Sequence, residues 1–142
     1  MPLYFLDTSA LVKRYHLEKG SDAVNRLFAD PENVFAVADI AMPEFTSAFT
    51  RKLHAGDILE KDLHACLSEF SKDALLRFWI IDLERSHVSK SISLIIKHNL
   101  RTLDSLQLSV FLSLAALNPT MVTSDNALAE ASRNEGFAVI TP

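Results

Sequence analysis

Short apolar runs alternate along this chain with longer segments whose apolar residues recur every three or four positions. Leu3-Tyr4-Phe5-Leu6, Val34–Ala38, Phe78–Leu83, Met121–Thr123 and Phe137–Ile140 have the length and character of buried strands. Between them the periodicity predicts helices. The first runs from about Ser9 to His16. A second, capped by Ser21 or Asp22, puts Val24, Leu27 and Phe28 on one side. A third opens near Pro43 with the stripe Phe45, Ala48, Phe49 and Leu53. Others span roughly Glu60 to Leu76, Arg85 to His98, Thr102 to Leu117 and Asn126 to Asn134. Gly20, the turn Asp30-Pro31-Glu32-Asn33, Gly56 and Gly136 punctuate the series. Pro43 suits a helix's first turn, where its missing N–H costs nothing.

Strands alternating with helices predict an α/β fold with a mostly parallel central sheet. The 142 residues contain no internal repeat, low-complexity tract or linker, and read as one domain spanning 1–142. In such sheets ligands collect beyond the carboxyl ends of the strands.

Four acids stand where this punctuation puts element ends. Asp7 closes the first apolar run and opens Thr8-Ser9-Ala10-Leu11-Val12. Glu44 follows Pro43. Asp104 lies near the start of the most apolar helix. Asp125 closes Met121-Val122-Thr123-Ser124 and opens Asn126-Ala127-Leu128-Ala129. If these ends meet, they form a pocket of hard oxygen donors suited to a divalent cation. Each acid also has a plainer reading. Asp7 and Asp125 could cap the helices that follow them, and Glu44 is favoured by a helix dipole. Asp104, amid Leu103, Leu106, Leu108, Val110, Phe111, Leu112 and Leu114, would be costly to bury unpaired. Arg101, one turn earlier, could pair with it. Asp39 could cap the third helix, and Asp82 ends a strand.

The net charge of −4 gives no general attraction to nucleic acid, so a polyanionic substrate would need local cations. Lys13, Arg14, Arg51 and Arg101 all fall near one of the four acids in sequence and could bind phosphate, although each alone is ordinary solubilising charge. The single cysteine, Cys66, excludes an internal disulfide and a cysteine zinc site. It sits on an apolar helix face and points to a reducing cytoplasm. No signal peptide is recognisable, and the uncharged stretch between Asp104 and Asp125 is broken at Asn118-Pro119, too soon for a membrane span. Three dispersed glycines exclude a phosphate-cradling loop or a dinucleotide fingerprint. No G-x-S-x-G or H-E-x-x-H occurs.

Four blocks, in order, carry a resemblance over essentially the whole chain: Phe5-Leu6-Asp7-Thr8-Ser9-Ala10-Leu11, Pro43-Glu44-Phe45, Leu100-Arg101-Thr102-Leu103-Asp104-Ser105-Leu106-Gln107-Leu108, and Val122-Thr123-Ser124-Asp125-Asn126-Ala127-Leu128. With these the sequence resembles the PIN-domain family, and within it the VapC-type toxins of toxin–antitoxin pairs. The resemblance implies a three-layer α/β/α sandwich around a mostly parallel sheet and RNA hydrolysis dependent on Mg²⁺ or Mn²⁺. It gives metal-binding and catalytic roles to Asp7, Glu44, Asp104 and Asp125, with Ser9 supporting the first aspartate. It further implies a cognate antitoxin as partner and a homodimer. The competing expectations are a PIN nuclease of RNA processing and a non-catalytic receiver-like module, in which Asp82 would be the phosphorylated aspartate.

Overall fold

The computed structural model describes all 142 residues. Five strands form one sheet in the order β3-β2-β1-β4-β5: β1 (Leu3–Leu6), β2 (Val34–Ala38), β3 (Phe78–Ile81), β4 (Thr120–Val122) and β5 (Val139–Ile140). Every pairing is parallel. The expected mostly parallel sheet is therefore wholly parallel. Parallel strands need crossover connections, which the helices supply.

The helices are α1 (Thr8–Tyr15), α2 (Ser21–Ala29), α3 (Ala41–His54), α4 (Glu60–Leu76), α5 (Arg85–His98), α6 (Thr102–Ser113) and α7 (Asn126–Asn134). Side chains of a strand alternate between the two faces of its sheet, and the two cores divide accordingly. Leu6, Phe35, Val37 and Val122 point to one face, against Ala10, Val24, Phe45, Phe49 and Phe70 of α1–α4. Phe5, Ala36, Ala38 and Met121 point to the other, against Leu94, Leu108, Phe111 and Leu128 of α5–α7. The first core is aromatic: the Phe28 and Phe35 rings stack at 4.2 Å, and those of Phe45 and Phe70 at 4.1 Å. The result is a three-layer α/β/α sandwich.

Several boundaries differ from the sequence expectation for local reasons. α3 starts at Ala41, two residues before Pro43, which still lies in the first turn where its N–H would have no helical partner. Asp39 does not cap α3. Its Oδ2 accepts from the Leu83 N–H at 3.1 Å, tying the end of β2 to the segment after β3. β3 accordingly ends at Ile81 rather than Leu83. The expected helix to Leu117 stops at Ser113. Ala115–Leu117 tighten into a 3-10 turn, and Asn118 turns left-handed at φ 48° ahead of Pro119. No helix is long and apolar enough to cross a membrane.

Candidate metal centre

β1 lies at the middle of the sheet, and the chain fills positions on one side of it (β2, β3) before returning to the other (β4, β5). The crevice beyond the carboxyl ends of β1 and β4 is thus the place where strand order reverses, the usual ligand site of an open parallel sheet. Asp7 follows β1 and Asp125 follows β4, so both stand in this crevice. The first turns of α3 and α6 bring Glu44 and Asp104 to it. All four acids line one cavity of about 500 Å³, walled on its apolar side by Val12, Ile40, Ala48 and Leu103.

Asp7 is the deepest of the four, only 4% exposed. It occupies the N-cap position of α1, but its side chain makes no capping bond. The Ser9 hydroxyl donates to its Oδ2 at 2.6 Å and the Thr123 hydroxyl donates to the same oxygen at 2.8 Å. Oδ1 is left as the oxygen no hydroxyl occupies. Both hydroxyls accept in turn: Ser9 Oγ from the Ser124 N–H at 2.9 Å, Thr123 Oγ1 from the Asp125 N–H at 3.0 Å. These bonds lock the ends of β1 and β4 together and fix the Asp7 carboxylate between them. Burial pushes its pKa up, against the opposing hydrogen bonds from Ser9 and Thr123.

Glu44 accepts at Oε1 from the Gln107 amide at 2.8 Å. Its pKa is also raised, mainly by burial, with the charges of Asp7 and Asp104 adding to the effect and the Gln107 hydrogen bond opposing it. Asp104 has no hydrogen-bond or salt-bridge partner, although it is half-buried. Burial, then repulsion from Asp125 and Asp7, raises it to about 6, while Arg101 pulls the other way. Arg101 forms no ion pair with it; the salt bridges of the molecule lie elsewhere. Asp125 does cap α7, its Oδ1 accepting from the Leu128 N–H at 2.9 Å. Capping takes one oxygen and leaves the other without a hydrogen bond, so the cap does not preclude a ligand role for Asp125.

The donor set fits a hard divalent cation: carboxylate and hydroxyl oxygens, with no thiolate or imidazole among the lining residues. As they stand, no three acid, histidine or cysteine side chains are close enough to hold an ion together as a finished cage.

Of the basic residues, Arg51 lines the acid cavity itself and a neighbouring cleft that also contains Lys13 and Lys52. Its guanidinium is held only by Ser47 Oγ, at 2.7 Å. Arg101 lines a cleft on another side with Glu44, Asp104 and Asp125. Lys13 is buried and committed to the Lys19 carbonyl and Glu18. Arg14 does not join the cavity. It donates to Asn25 Oδ1 at 2.8 Å and lies over the Phe28 ring at 4.9 Å, packed beneath α2. Asp82 is exposed at the end of an edge strand, away from the other acids, which does not favour a receiver-like phosphorylation site.

Two residues of the site were not singled out by the sequence, Thr123 and Gln107. A threonine in a strand run is an ordinary β-former. Gln107 carried a signal, since it lies three residues after Asp104 and so on the same helical face.

No family model matches the sequence, and no curated protein matches it. Solved structures do match over nearly the full length. VapC20 of Mycobacterium tuberculosis, a toxin that cleaves the sarcin–ricin loop, superposes with a TM-score of 0.72 at 12% identity, covering 99% of each chain. VapBC2 of Rickettsia felis, bound to a DNA fragment from its promoter, gives 0.66 at 20% identity over 97% of each chain. A toxin–antitoxin complex from Klebsiella pneumoniae gives 0.61 at 18% identity, over 98% of this chain and 97% of that one. The fold is therefore the PIN-like α/β/α sandwich that these toxins share.

Proposed function

We propose that the protein is a Mg²⁺- or Mn²⁺-dependent ribonuclease and the toxin of a toxin–antitoxin pair. One observation carries the nuclease reading. Four carboxylates from four separate elements face one cavity and none of them forms a salt bridge, and folding alone gives no reason to hold like charges together. The toxin role is supported by neighbours of the same fold and length that are toxins or toxin–antitoxin complexes.

Asp7, Glu44, Asp104 and Asp125 would hold the cation. Lewis-acid activation of water and neutralisation of charge on the scissile phosphate are what a divalent ion supplies there. Ser9 and Thr123 keep Asp7 oriented. Arg51 and Arg101, in clefts on different sides of the acids, would bind the phosphates flanking the cleaved bond and so draw the RNA backbone across the carboxylates. Water attacks phosphorus and releases one proton to solvent, the P–O bond on the opposite side breaks, and the leaving oxygen takes up a proton from solvent. No covalent enzyme intermediate is needed.

The test uses purified protein free of any partner. It should cut RNA with Mg²⁺ or Mn²⁺ and stop with EDTA, and its expression alone should arrest a bacterial host until the cognate antitoxin is co-expressed. Cleavage unaffected by EDTA would refute the metal reading. An active enzyme harmless to its host would move the role to RNA processing.

A further inference from the structure

We infer that Gln107 is a positioning residue that orients Glu44 toward the cation; this rests on the metal-dependent reading above. Gln107 is fully buried on α6, one turn after Asp104. Its Nε2 donates to Glu44 Oε1 at 2.8 Å and reaches Thr8 Oγ1 at 3.5 Å. One amide therefore touches α1 and α3 from α6, and links three of the elements that bring acids to the cavity. Its carbonyl Oε1 is buried with no partner.

That unpartnered oxygen separates positioning from packing. A buried polar atom without a hydrogen bond costs stability. Methionine has similar length and volume and would fill the same space without that cost. Packing does not call for a glutamine here, whereas holding Glu44 does. A glutamate in a helix's first turn can adopt several rotamers. The amide donor selects the one in which Oε1 is fixed, with Thr8 also bonding the carboxyl. Partners one shell behind a metal ligand commonly set the ligand's direction in this way.

The inference is tested by titrating Mn²⁺ into the purified full chain and following the free ion by electron paramagnetic resonance, with no RNA present. Gln107→Met should fold with an unchanged or higher metal-free Tm and bind Mn²⁺ about 10-fold or more weakly than wild type. In a Glu44→Gln background the same substitution should have no further effect on Mn²⁺ affinity, because Gln107 acts through Glu44. Gln107→Asn, one methylene too short to reach Glu44, should reproduce the loss and guards against a folding defect particular to methionine. Equal Mn²⁺ affinity in wild type and both variants would overturn the inference alone. A full additional loss in the Glu44→Gln background, or failure of both variants to fold, would overturn it in favour of a structural role. Wild type that binds no Mn²⁺ would overturn the metal reading and this inference with it.

Discussion

The two ends of α7 carry acids in opposite circumstances. At its amino end Asp125 lines a cavity with Asp7, Glu44 and Asp104, and none of the four is ion-paired. At its carboxyl end Glu135 accepts from the His98 ring at 2.7 Å and from Lys97 Nζ at 2.9 Å. The electrostatics follow. Hydrogen bonding from His98, then from Lys97, holds the Glu135 carboxyl below its usual range, whereas burial and acidic neighbours raise Asp104 to about 6. An acid supplied with partners fastens one helix to another, here α5 to α7. Acids gathered without ion-pair partners oppose the fold that gathers them, and a bound cation would relieve that opposition.

The largest contrast should appear on substitution. Asp7→Asn or Asp104→Asn should reduce RNA cleavage by at least about 100-fold while leaving the metal-free Tm unchanged or higher. Glu135→Ala should do the reverse, keeping full cleavage and losing about 1 kcal/mol of stability, since this pair is partly exposed and screened. Gel-based cleavage and thermal melts of the same preparations check both, and a Glu135 variant with lost cleavage would break the contrast.

Asp125→Asn tests the amino end of α7 more finely. Asparagine caps a helix about as well as aspartate, so the metal-free Tm should hold or rise. The increase produced by Mg²⁺ should shrink, and cleavage should slow. An undiminished Mg²⁺ response would remove Asp125 from the site.

The two ends should also answer pH with opposite signs. An aspartate in an unfolded chain titrates near about 3.9, and folded Asp104 near about 6. Between those values the folded, metal-free protein binds the proton more tightly, so stability from this end falls as pH rises through the window. Glu135 has a lowered folded pKa, so its contribution is complete above the unfolded value and is lost as pH falls. Metal-free melts should therefore slope down less steeply between about pH 4 and 6 in Asp104→Asn than in wild type, whereas the loss of stability on acidification below about pH 4.3 should be smaller in Glu135→Ala.

The smallest effect is expected at the rim. Arg51→Ala should raise KM for RNA by roughly 3- to 10-fold, with kcat nearly kept and a shallower salt dependence. Arg14→Ala should leave KM alone, because that guanidinium packs against Phe28 and bonds to Asn25.

Much of this arrangement was legible in the sequence. Helix ends at Leu76, His98 and Asn134 follow from periodicity and punctuation, and the four acids stand out because each falls at an element boundary. Element ends are local, and local chemistry writes them. The rest depends on pairing between distant segments. Nothing near Ser9 announces that its hydroxyl will share Asp7 with Thr123, and nothing near Arg14 announces that α2 will cover it. The position of β3 at the sheet edge, which leaves Asp82 outside the cavity, is equally non-local. Gln107 was hidden differently. On a helix so apolar, one buried amide reads as a tolerated exception until its partner is known.

The pairing of β1 with β4 has a consequence for synthesis. Thr123 reaches Asp7 across 116 positions of sequence, one of the longest separations the chain must close. Chains emerge from the ribosome amino end first, and contacts of such separation form late because their loop entropy is lost before they return any stabilisation. Asp7 precedes Thr123 by 116 positions in the order of synthesis, and Asp125 follows later still. A polypeptide that stops short of β4 therefore cannot assemble the four-carboxylate cavity, and any chemistry the cavity performs is withheld until both ends of that pairing have been made.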